Sequence, residues 1–430
     1  MRIVELNEET KDSLLEKLLK RSPGSYGQYE QAVNEIISQV RSRGDAALSE
    51  YTLQFDKCHI TAGNIRVTRE EIREAYEKVE PAFVEVMKKS AANIIRFHEK
   101  QLHNSWIVPN EDGVILGQKI SPIAISGVYV PGGKAAYPSS VLMNVLPAKV
   151  AGVPRIIMAT PPGADGKINP GTLVAADIAG VHEIYKAGGA QAVAAMAFGT
   201  ESVPRVDKIT GPGNIFVALA KKACFGYVSI DSVAGPSEIL VLADESANPE
   251  YVAADLLSQA EHDEMASAIL ITDSKELAQA VSKEAARFAG QLSRKDIIEK
   301  SLADYGYILL APNMEKAIDA ANEIASEHLE ILTKNPFETM TKIKNAGAVF
   351  LGEYSCEPLG DYFAGPNHIL PTNGTARFFS PLNVDDFMKK TSIISYSKEA
   401  LSKVHKDIEL FAQKEGLTAH ANSIKVRFKE

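Results

Sequence analysis

Residues 123–133 read IAISGVYVPGG. The apolar run from Ile123 to Val130 lies between Pro122 and Pro131 and predicts a buried strand that ends in a two-glycine turn. Working outward, residues 143–151 carry a helical pattern and residues 155–159 (RIIMA) form a second apolar run. The alternation continues with a helix at 171–179, a strand at 183–187, a helix at 190–198, a short strand at 206–209, a helix at 214–224 and a strand at 227–229. Strands separated by helices at this rhythm predict an α/β fold, with a parallel sheet covered on both faces.

A second stretch repeats the theme. Strands are expected at 239–242, 268–272, 306–311, 328–332 and 348–351, with helices at 249–262, 275–290 and 314–325. Upstream, helix dominates: residues 26–55 place Val33, Ile36, Ile37, Val40 and Leu48 at helical spacing, and Thr68-Arg-Glu-Glu is a cap pattern opening one or two helices over 69–103. From about residue 380 the tail predicts two short helices and a basic, strand-like end at 424–429.

Composition narrows the function class. The 46 basic and 55 acidic residues leave a net charge of −9, which disfavours a general nucleic-acid surface. A dinucleotide remains possible, because backbone N–H groups can hold its phosphates locally. The three cysteines are far apart and form no CxxC pair, so a reducing compartment fits. The charged N-terminus lacks a signal-peptide core and no apolar run is long enough to span a bilayer. The expectation is a cytoplasmic protein without membrane contact.

In open parallel sheets ligands bind beyond the carboxyl ends of the strands, so the loops there matter most. They are rich in glycine: Pro131-Gly132-Gly133, Gly188-Gly189-Ala190-Gln191 and Thr210-Gly211-Pro212-Gly213-Asn214, with Ala234-Gly235-Pro236-Ser237-Glu238 before the next strand. None is GxGxxG, so each alone reads equally as an ordinary turn; together they suggest a dinucleotide crevice of non-standard type. Gln259 and His262 stand three residues apart on an expected helix, able to converge on one ligand or to form a polar face. Glu327-His328, at a helix–strand boundary, can supply two proton-transfer groups or merely end a helix. Asp361 and His368 lie in a glycine-rich segment with little helical or strand signal, and Glu415 and His420 lie near the C-terminus. His262, Asp361 and His420 together offer an N/O set suited to Zn²⁺, although spacing does not show that they meet.

These segments together resemble histidinol dehydrogenase over nearly the whole chain. The motifs are YVPGG (129–133), GGAQA (188–192), GPGN (211–214), AGPSE (234–238), QAEHD (259–263), SEHLE (326–330), GDY (360–362), GPNH (365–368) and EGLTAH (415–420). The resemblance implies that Gln259, His262, Asp361 and His420 bind zinc, and that the metal also holds the imidazole and amino nitrogens of L-histidinol. It implies substrate contacts from Ser237, His328 and Glu415 as well as from the metal ligands, and an NAD site at Tyr129, Gln191 and Asn214. Glu327 and His328 would be the acid–base pair of two successive oxidations, through L-histidinaldehyde to L-histidine, each reducing one NAD, as the last steps of histidine biosynthesis. It further implies a homodimer in which Glu415 and His420 complete the partner's site.

The implied architecture is two incomplete Rossmann-like parallel-sheet domains, aldehyde-dehydrogenase-like, with small N-terminal arm and C-terminal helical tail domains. The boundaries expected are an arm at 1–25, a substrate and zinc domain at 26–128 with 239–365, an NAD-associated domain at 129–238 and a tail domain at 366–430. No role falls to His368 or to Cys58, Cys224 and Cys356. Two other readings stay open: a zinc hydrolase using Glu327 on metal-bound water, which leaves the glycine loops unexplained, and a non-catalytic nucleotide-binding protein, which leaves Glu327-His328 unexplained.

Overall fold

The computed structural model describes residues 1–19, 27–132 and 137–428; Gly133, residues 20–25 of the expected arm and Lys429 lie outside the described residues. The chain forms two units, Met1–Gln101 with Ala124–Phe387, and Leu102–Ile123 with Met388–Glu430. In chain order the strands are β1 (Arg2–Glu5), β2 (Trp106–Pro109), β3 (Ile115–Pro122), β4 (Ile125–Tyr129), β5 (Arg155–Thr160), β6 (Glu183–Lys186) and β7 (Lys208–Thr210). They continue as β8 (Ser229–Ile230), β9 (Glu238–Ala243), β10 (Ser267–Thr272), β11 (Gly306–Leu310), β12 (His328–Leu332), β13 (Ala348–Leu351) and β14 (Met388–Ser395).

The first unit holds two wholly parallel sheets, ordered β6-β5-β4-β7-β8 and β1-β11-β10-β9-β12-β13. This is the α/β class that the strand–helix rhythm predicts. In the five-stranded sheet the helix Gly189–Phe198 is buried from Ala190 to Ala197, because the helix Gly27–Arg43 covers its outer side. That double cover explains why its sequence is alanine-rich and apolar all round rather than amphipathic. The helix expected at 143–151 begins earlier, at Pro138, a residue suited to a first helical position. The helix expected over 26–55 breaks at Gly44, whose φ of 56° ends one helix and starts Asp45–Asp56. Thr68 forms the expected capping box: its hydroxyl accepts the Glu71 N–H at 3.2 Å, and the Glu71 carboxylate accepts the Thr68 N–H at 2.8 Å.

The six-stranded sheet separates two cores by simple alternation. Ile239, Val241 and Ala243 face the helices Pro249–Ala260, Lys275–Ala289 and Lys295–Tyr305, whereas Leu240 and Leu242 face Met314–Ile324 and the N-terminal helix Glu8–Leu19. Arg2–Glu5, at the start of the expected arm, adds β1 to the edge of this sheet beside β11.

In the second unit β14, β3 and β2 form an antiparallel sheet, and the helices Lys398–Lys414 and Thr418–Lys425 follow. Two tail expectations are corrected. The strand-like end at 424–429 is helical through Phe428, since six alternating residues at the end of a helix do not define a strand without a partner. The first tail helix is 17 residues long, not short, and β14 was unannounced because most of its residues are exposed and so carry no apolar run. Among the described residues no helix is long and apolar enough to cross a membrane.

Candidate active site

The carboxyl ends of β4, β5, β6 and β7 open onto a cavity of about 640 Å³ whose lining includes Tyr129, Gly132, Gly189, Gln191 and Asn214. All three residues expected at a nucleotide site therefore meet at one crevice. Tyr129 is buried and its hydroxyl accepts the Gly189 N–H at 3.0 Å, which leaves the phenolic hydrogen to donate. Burial pushes that phenol up to about 12, so it stays protonated. Asn214 caps the helix Ile215–Cys224 through its carbonyl oxygen, 3.1 Å from the Phe216 N–H, so its amide N–H₂ is not spent on the cap.

The loop carrying Asn214 is locked from below. Gly211 has φ +122°, and a Cβ there would lie 1.9 Å from the Tyr129 carbonyl oxygen, so only glycine fits. Its N–H binds the Asp231 carboxylate at 2.8 Å, and its carbonyl accepts the Lys221 ammonium at 2.8 Å. Lys221 and Asp231 are themselves an ion pair, both almost wholly buried.

The second constellation lies at the amino ends of β9 and β12, not beyond carboxyl ends as the general rule for parallel sheets led us to expect. After the helix Met314–Ile324 the left-handed residue Ala325, φ 51°, turns the chain into β12, so that Glu327 and His328 meet the first residue of β9. The Glu238 N–H binds the Glu327 carboxylate at 2.9 Å, and the Glu238 carbonyl lies 2.9 Å from His328 Nδ1. A carbonyl only accepts, so Nδ1 carries the hydrogen, and Nε2 is the basic atom of the neutral ring. Nε2 is buried without a hydrogen-bond partner and stands 3.8 Å from Asp361 Oδ1.

Burial pushes the Glu327 carboxyl up to about 8. For His328 burial works against the imidazolium, while the Glu327 and Asp361 carboxylates favour it and raise the ring above its ordinary value as long as no cation neutralises them. Burial likewise opposes ionisation of Asp361, yet the His328 and His368 rings hold it well below the usual carboxylate range.

Candidate ligand atoms of His262, Glu357 and Asp361 lie within 4.8 Å of one another. Gln259 is buried and its Oε1 has no hydrogen-bond partner. One nitrogen, several oxygens and an orphaned carbonyl suit a borderline divalent cation, so the residues present fit zinc. Gln259 and His262 do not share a helix face, however. The helix ends at Ala260, and His262 occupies the turn beyond it, closed by its N–H on the Gln259 carbonyl at 3.1 Å. Asp361, expected in a structureless loop, sits in the short helix Glu357–Tyr362. His368 donates from Nδ1 to the Asp361 carbonyl at 3.1 Å and so steadies that residue.

Ser237 immediately precedes Glu238, beside these groups in sequence, whereas Glu415 and His420 belong to the second unit, at exposed positions. The cysteines are unpaired; burial pushes the Cys224 thiol up to about 12, which makes it a poor nucleophile. Sequence reasoning missed Glu357, and it missed Glu330, whose carboxylate accepts the Glu357 N–H at 2.8 Å. The one legible signal was Glu330 itself, an acid in the otherwise apolar core of β12.

The family model for histidinol dehydrogenase matches residues 19–428. The chain belongs to the histidinol dehydrogenase family. It is 57% identical over 429 residues to the histidinol dehydrogenase of Caldanaerobacter subterraneus subsp. tengcongensis, covering 99% of each chain. With that of Clostridium acetobutylicum it shares 54% identity over 429 residues, 100% of this chain and 99% of the relative. The crystal structure of histidinol dehydrogenase from Elizabethkingia anophelis superposes with a TM-score of 0.93 at 39% identity, over 99% of this chain and 98% of that one. This membership makes the protein an oxidoreductase and implies a place in histidine biosynthesis.

Proposed function

We propose that this chain oxidises L-histidinol through L-histidinaldehyde to L-histidine, reducing two NAD, at a zinc-supported site made of Glu327, His328 and the surrounding ligand set. The observation that carries the reading is the His328 ring. Its Nδ1–H is anchored on the Glu238 carbonyl, and its unpartnered Nε2 lies beside Asp361 of the metal-capable cluster.

Zinc, held by Gln259, His262, Asp361 and a partner copy's tail histidine, would supply Lewis-acid grip on the substrate's nitrogens. The protein's own groups do the rest. His328 Nε2 takes the hydroxyl proton as hydride leaves the alcohol carbon for NAD, giving the aldehyde. Glu327 takes a proton from the water that adds to the aldehyde carbon, while His328 Nε2 returns its proton to the aldehyde oxygen, giving the hydrate and freeing Nε2 again. His328 then takes a hydroxyl proton of the hydrate as the second hydride leaves for a fresh NAD, giving the carboxylic acid. A carboxyl pushed up toward neutrality by burial suits this proton-transfer role. NAD would lie in the crevice of Tyr129, Gln191 and Asn214, within the segment 129–238, with substrate and zinc served chiefly by 239–365.

We further propose a homodimer in which Glu415 and His420 complete the neighbouring site, joined by Ser237 as a substrate contact. Both tail residues are exposed, and the same unit exposes large apolar groups, Phe411 at 69% and Ile394 at 74%, which a partner surface would cover. The unpaired cysteines and the biosynthetic relatives support a cytoplasmic setting. The test is stoichiometric: two NADH formed per histidinol consumed, followed by the absorbance of the reduced coenzyme. Histidinol turnover without NADH would refute the reading and return the hydrolase alternative.

A further inference from the structure

Among the described residues the crevice wall carries one carboxylate, and nothing above uses it. Asp56 is the last residue of the helix Asp45–Asp56, and it lines the same cavity as Tyr129, Gln191 and Asn214. Its Oδ2 is buried and has no hydrogen-bond partner. The position is costly in two further ways. A carboxylate at a helix C-terminus faces the negative end of the helix dipole. Among the described residues no cation offsets it either: burial alone acts on the carboxyl and pushes it up to about 6. Lys167, a cation elsewhere in the cavity wall, is exposed and reaches Glu74 at 3.4 Å.

The cavity wall that includes Asp56 also carries the apolar and aromatic side chains of Ile36, Phe55 and Phe216. A flat apolar surface beside a bare anionic acceptor matches the chemistry of adenosine, a purine ring joined to a vicinal diol. We infer that Asp56 accepts hydrogen bonds from the adenosine ribose hydroxyls of the dinucleotide and excludes a 2′-phosphate, making it the residue that selects NAD over NADP. The inference rests on the proposal that this crevice binds NAD. A ribose diol donates to the Asp56 carboxylate, whereas a 2′-phosphate sets a second anion against it in a poorly solvated place.

The test is the pair Asp56→Asn and Asp56→Ala, assayed with histidinol and either coenzyme, with zinc content measured and NADH and NADPH binding titrated directly. Side-chain removal at a helix end with no protein partner leaves the fold intact, which the unchanged zinc content checks. Loss of one charge-assisted hydrogen bond predicts weaker NADH binding by about tenfold, and loss of the repulsion predicts a gain for NADPH, so the NADP/NAD ratio of kcat/KM rises by more than about tenfold. An unchanged ratio overturns the inference, whether both coenzymes weaken equally or neither changes, while leaving the NAD reading standing. Failure of the unsubstituted enzyme to bind NADH overturns the NAD reading and this inference with it.

Discussion

Replacing Lys221 by methionine tests the physical account of the nucleotide loop most sharply. Methionine keeps the apolar stem and removes the ammonium. Asp231 then becomes a buried carboxylate without its cation, and the Gly211 carbonyl loses its donor. Breaking a buried pair by deleting one partner costs about 3–5 kcal/mol. Asp231 keeps two backbone donors, Gly211 N–H at 2.8 Å and Ser232 N–H at 2.7 Å, which places the expected loss near the lower figure, about 3 kcal/mol. Gly211 is also released from one of its two anchors, so Asn214 loses its fixed position at the crevice. We therefore expect the KM for NAD to rise about tenfold with kcat and zinc content held, because the damaged contact concerns binding alone. Urea unfolding of Lys221→Met, Asp231→Asn and the double variant, with NAD kinetics on each, measures both effects. The double variant should lose less than the sum of the single losses, since removing both charges avoids stranding one. A Lys221→Met loss below about 1 kcal/mol, or strict additivity, refutes the reasoning.

Three further outcomes are expected. His328→Asn should lower turnover by about a hundredfold or more while zinc content stays normal; near-normal turnover removes His328 as the base. A chain ending at Lys414 should lose both bound zinc and activity, because Glu415 and His420 are gone; a truncated enzyme with full activity refutes the tail-completed site. Glu330 and Asp255 form a buried carboxyl pair, in which burial pushes Asp255 up to about 6 and Glu330 well above its ordinary value. An acid whose folded value is raised stabilises the fold least at high pH, so stability should fall as pH rises from about 4 through 6, by up to about 3 kcal/mol for Asp255. Glu330→Gln should remove the further fall above about 6, where Glu330 itself must ionise, and be the more stable protein at pH 8 in urea; parallel pH profiles for the two proteins refute the pair.

Much of the fold is written locally. Apolar runs gave β5 and β9 to within one residue at each end and β4 to within two, and Thr68-Arg-Glu-Glu announced a real capping box, because both features depend on near neighbours along the chain. The motifs were equally local, and they led to the family before any geometry was known. Local patterns failed where partners are distant. β14 is legible only through β3, and His262 left the helix because the turn at Glu261 ends it at Ala260, two residues short.

What the sequence by itself determined, then, is the α/β class, the crevice loops and the motifs that mark the family, since each is carried by a short contiguous signal. Only the tertiary structure decided that segments around 259–262, 327–328, 357–361 and 368 converge, and that they do so at the amino ends of β9 and β12. The same holds for Glu357 beside His262 and Asp361, Lys221 and Asp231 bracing the Gly211 loop, and Asp56 in the crevice wall with an oxygen that has no partner. The physical reason is common to all: burial and charge pairing act through space, and no single stretch of chain records which remote group will stand opposite another.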